Sequence, residues 1–108
     1  MGRNITAYDF HNRVCIVGVG DTDYGSLYRT RDPRRNAYTL GLEAFRNALA
    51  DCGLKKEEID GLIVVRIPHY QPFANMVGLR FLRVANVLRG EGRMSGLAVQ
   101  YAAALIHA

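Results

Sequence analysis

The chain of 108 residues has no tryptophan, three prolines and two cysteines. Two thiols, Cys15 and Cys52, are too few for a disulfide framework and lack the CxxC spacing of a zinc or redox motif. His11, His69 and His107 lie too far apart for a metal pattern, so no metal site is expected. No apolar run reaches the ~20 residues of a membrane span. The first residues, MGRNITAYDFHNR, lack the apolar core of a secretory signal. Reduced thiols and a cytoplasmic location follow as the expectation. Acidic residues are also in deficit, with 10 Asp and Glu against 14 Lys and Arg. All but two of those bases are arginine, which suits acidic partners, although a solvated surface is the plainer reading of so modest an excess.

What is present is globular, with 49% hydrophobic and 22% charged residues. Residues 1–12 read as a loose N-terminal arm and residues 13–108 as one domain. RVCIVGVG, Arg13–Gly20, is a nearly continuous apolar run, the mark of a strand buried on both faces in a parallel sheet. The same burial would make Cys15 an inert core thiol. In NAYTLGLEAFRNALADCG, the residues Tyr38, Leu42, Phe45, Leu49 and Cys52 share one face of a helix, and Gly53 suits its end. Lys55–Asp60 is a charged turn. GLIVVRI, Gly61–Ile67, is the second strand, closed by Pro68. Gln71–Arg80 forms a short helix with Pro72 in its first turn, and Phe81–Val87 is the third strand.

Met94–His107 is the most apolar helix, with only Ser95, Gln100 and His107 polar. Such a helix should be buried nearly all round. The β-α-β-α-β-α order implies an α/β fold of three mostly parallel strands with helices on both faces. A three-stranded sheet cannot enclose that helix, so the fold is expected to be incomplete, finished by a larger protein or another subunit. If its flanks are wetted by solvent, this burial argument gives no support to any family assignment.

Candidate sites are few. Gly18-x-Gly20 follows a strand as in a dinucleotide loop. Asp23, however, stands where the third glycine belongs, and the helix starts more than ten residues later. The acidic residue expected after the second strand is replaced in that neighbourhood by Arg66. A plain turn is the better reading. Arg29, Arg31, Arg34 and Arg35 could grip phosphate, or remain solvated in a loop. His69 beside Tyr70 is a loop candidate for substrate contact, or a surface histidine. The turn RGEGRMSG leads into the apolar helix, where free N–H groups and the dipole suit an oxyanion or an acidified thiol. No cysteine stands there; Ser95 reads most simply as a helix cap.

VCIVGVGDTDYG, LGLEAFRNALADCGLKKEEIDGLIVV and GEGRMSGLAVQYAAALIHA, in this order and spacing from about residue 13 to 108, resemble the start of the thiolase superfamily. They are most similar to its acetyl-CoA acetyltransferase-like and sterol-carrier or lipid-transfer branch. The resemblance implies a layered α-β-α-β-α fold, usually dimeric, and acyl-CoA or lipid-CoA thioesters as substrates, with no covalently bound cofactor. The expected partner is a second copy or a different subunit, and nucleic acid is not expected. RMSGL falls where active members carry their nucleophilic cysteine, which places Arg93 at that position, or Ser95 if the alignment shifts. Arginine stays protonated and cannot accept an acyl group. Relatives without the cysteine serve lipid or steroid side-chain metabolism, including retro-aldol cleavage with a partner protein.

The expectation is therefore a truncated, catalytically incomplete thiolase-like chain of acyl-CoA and lipid metabolism. Whether it is itself an enzyme stays open, and alone it should be inactive. The alternatives are a non-catalytic partner subunit or binding module and, resting only on charge and Gly18-x-Gly20, a nucleotide-binding domain.

Overall fold

A computed structural model describes residues 13–23, 34–90 and 94–107. The N-terminal arm at 1–12 and the arginines Arg29 and Arg31 lie outside them. The described elements are α1 (Ala37–Cys52), a 3-10 turn (Lys56–Glu58), β1 (Gly61–Val65), α2 (Tyr70–Val77), β2 (Val84–Leu88) and α3 (Met94–His107).

α1 starts where its sequence sets a cap. The Asn36 side chain accepts from the Tyr38 and Thr39 amides at 2.9 and 3.1 Å, and the Asn36 amide donates to Thr39 Oγ1 at 2.8 Å. This reciprocal box satisfies N–H groups that the first helical turn leaves unpaired. The helix ends at Gly53, in the left-handed region at φ 75°, as the periodicity predicts. The charged segment forms the single 3-10 turn. α2 runs from Tyr70 rather than Gln71 and stops at Val77, because Gly78 turns left-handed at φ 86°.

β1 and β2 pair in parallel, from Gly61↔Val84 to Val65↔Leu88. Alternation along them sends two residue sets to opposite faces. Leu62 and Val64 join Phe73, Ala74, Val77 and Leu79 in the buried core, with Ala85 and Val87 packed at its edge. α2 covers this face. α1 lies on α2, where the Phe45 and Phe73 rings meet edge to face with centroids 6.3 Å apart. Ile63 and Val84 point to the other face, toward α3. Asn86 on that face donates to the Tyr101 hydroxyl of α3 at 3.3 Å. Helices on both faces of a parallel sheet are thus observed.

Three sequence expectations need correction. First, among the described residues the sheet has two strands, and Arg13–Gly20 is not a third. This segment runs along α1 instead. The Val19 amide donates to Asp51 Oδ2 at 3.0 Å, and Asn47 Nδ2 donates to the Asp21 carbonyl at 2.7 Å. Its aliphatic side chains face solvent, with Ile16 72% and Val19 70% exposed. Cys15 is exposed too and is no core thiol; Cys52 is half-buried and donates weakly to the Leu49 carbonyl at 3.7 Å. Apolar composition gave the segment its strand character, but no sheet edge engages it.

Second, the strands are shifted: β1 ends at Val65 rather than Ile67, and β2 spans 84–88 rather than 81–87. Pairing begins where the Arg83 and Val84 amides both reach the Asp60 carbonyl, at 2.6 and 3.3 Å. Phe81 lies outside the ladder and is 68% exposed.

Third, α3 has the expected span but not the expected burial. None of its described residues is buried, and Val99 and Ile106 are 54% and 68% exposed. One side of the helix rests on β1 and the flanks are wetted. The burial argument therefore gives the thiolase resemblance no support within this chain.

The same packing accounts for Gly18-x-Gly20. A Cβ on Gly20 would collide with the Ala44 carbonyl and the Ala48 amide of α1, and one on Gly18 would lie 2.8 Å from the Ala48 carbonyl. The glycines let two backbones touch. Gly20→Ala is therefore expected to lift residues 13–23 from α1 at a cost of about 1–3 kcal/mol. Hydrogen exchange checks this: the Val19 amide should lose protection while Phe73 keeps its own. Unchanged exchange at Val19 would contradict the packing role.

Candidate functional site

In open parallel sheets, ligands bind beyond the carboxyl ends of the strands. Here those ends open onto a shallow concavity of about 360 Å³ lined by Arg66, Ile67, Pro68, Leu88, Arg89 and Gly90, along with Val87. Val65 and Leu88 are Cα partners in the ladder, so the next residues, Arg66 and Arg89, leave adjacent strands at the same level. Arg66 has φ 64°, a left-handed conformation that costs a non-glycine residue about 1–3 kcal/mol and recurs at functional sites. Gly90, at φ 144°, turns the chain so tightly that a Cβ there would lie 2.6 Å from Met94 Cγ. The first turn of α3 thereby folds back toward the strand ends.

A larger groove of about 810 Å³ runs between α3 and the open sheet face. Ile63, Val84, Ala98, Ala102, Leu105 and Ile106 supply apolar walls, and Asp60 and Arg83 stand among its polar groups. Its dimensions and lining fit an aliphatic guest or an apolar protein surface.

The predicted site residues fare unevenly. Arg93 lies outside the described residues. Ser95 is exposed in the first turn of α3, one residue inside the helix, while the cap position falls outside the described residues. His69 is exposed at the N-cap of α2, one residue past Pro68, and its side chain makes no capping bond. Arg35 is not a solvated loop arginine. Its Nη2 donates to Glu43 Oε2 at 2.6 Å, in a pair about one-third exposed, which ties the loop to α1. Among the described residues, no three His, Cys, Asp or Glu side chains gather as metal ligands, and no helix is long and apolar enough to cross a membrane.

The pairing of Arg66 with Arg89 was missed by the sequence reading. A signal was available: IVVR and NVLR both place arginine directly after an apolar strand, and parallel pairing brings such ends together. Extending β1 to Ile67 hid it by burying Arg66 inside a strand.

No protein-family model matches the chain, and no curated protein does either. A solved structure is similar: a chain of the "Ltp2-ChsH2(DUF35) aldolase", 27% identical, with a TM-score of 0.65 over 82% of the present chain. The match covers 22% of the solved chain, so the present chain spans about a fifth of that length.

Proposed function

We propose that the chain is a thiolase-like unit that handles acyl-CoA or lipid-CoA thioesters with a protein partner, in carbon–carbon bond cleavage and not in acyl transfer through a thiol. The observation that carries this reading is the likeness to the Ltp2-ChsH2(DUF35) aldolase, whose name joins an aldol-type activity to two protein components. The thiolase-like motifs support it, as does the absence of cysteine from RMSGL. Without a thiol at that turn the chain has no acyl acceptor in the place of the thiolase nucleophile. What it contributes is shape: an apolar groove for an aliphatic chain on one sheet face, and a basic rim at the strand ends.

A second reading, a non-catalytic partner subunit, is favoured by the open flank of α3. The nucleotide-binding reading loses its glycine motif and keeps only the basic charge, because Gly18 and Gly20 press on the side of α1 and not on a helix N-terminus.

Equilibrium binding and intact-mass analysis with a long-chain acyl-CoA test the proposal together. Saturable binding with no mass increase is expected, and Ser95→Ala should change neither result. Absence of binding would overturn the CoA assignment. An acyl adduct lost in Ser95→Ala would overturn the claim that no nucleophile operates.

A further inference from the structure

No further inference is drawn: the strongest candidate, the exposed apolar surface of Ile16, Val17 and Val19 on the segment that runs along α1, carries nothing because nothing in the structure shows what covers it.

Discussion

Phe73→Ala is expected to remove most of the chain's folding stability. Phe73 is 3% exposed and sits where α1, α2 and β1 meet, with Phe45 against its ring and Leu62 and Val64 in the same buried cluster. Phenylalanine-to-alanine changes in such cores cost about 3–5 kcal/mol, through lost transfer free energy and the cavity left behind. Small domains hold only about 5–15 kcal/mol in total, and a core of six buried residues among those described argues for the lower end. Urea unfolding followed by circular dichroism checks this, with Met76→Ala as a control on the exposed side of the same helix. The control should stay within about 0.5 kcal/mol of the parent. A Phe73→Ala loss below about 1 kcal/mol would mean that the stabilising core lies elsewhere.

The second large effect concerns association, not stability. Val99 and Ile106 stand seven residues apart on one stripe of α3, beside the groove over the sheet. Leu97 extends the exposed apolar surface on the other flank. If these side chains form one contiguous patch, a second copy of the chain would pack there. The double change Val99→Lys with Ile106→Lys is therefore expected to abolish self-association. Both side chains already face solvent, so thermal stability should hold within about 1 kcal/mol, the sum of two ordinary surface changes. Light scattering across a concentration series, paired with a melting curve, separates the two effects. A large fall in melting temperature without a change in mass would show that these residues serve the chain's own core instead.

Much of the fold is legible in the sequence wherever local chemistry decides it. Asn36, the stripe of Tyr38, Leu42 and Phe45, and Gly53 define α1 without reference to anything distant. Gly78 ends α2 by the same left-handed turn, although the sequence reading carries that helix on to Arg80. What the sequence reading misplaced depends on neighbours. Apolar runs report a preference for burial but do not name what covers them, so Arg13–Gly20 and α3 were both assigned more enclosure than they have. The boundary of β2 depends on Asp60 receiving two amides, a contact set by the fold around it. The candidate site shows the same division. The helix turn at Ser95 is visible as a pattern of glycines and small residues. The Arg66–Arg89 rim exists only because two strands pair in one register. Gly18-x-Gly20 shows how one motif can serve two ends, since the freedom that admits a phosphate admits a helix backbone equally well.

The exposed apolar stripe of α3 is expected to meet a second copy of this chain. Sedimentation equilibrium of the unaltered 108-residue chain, from micromolar to near-millimolar concentration, tests this most directly. Reversible association that the paired lysine variant lacks is the expected result. A folded, soluble monomer throughout that range would contradict it.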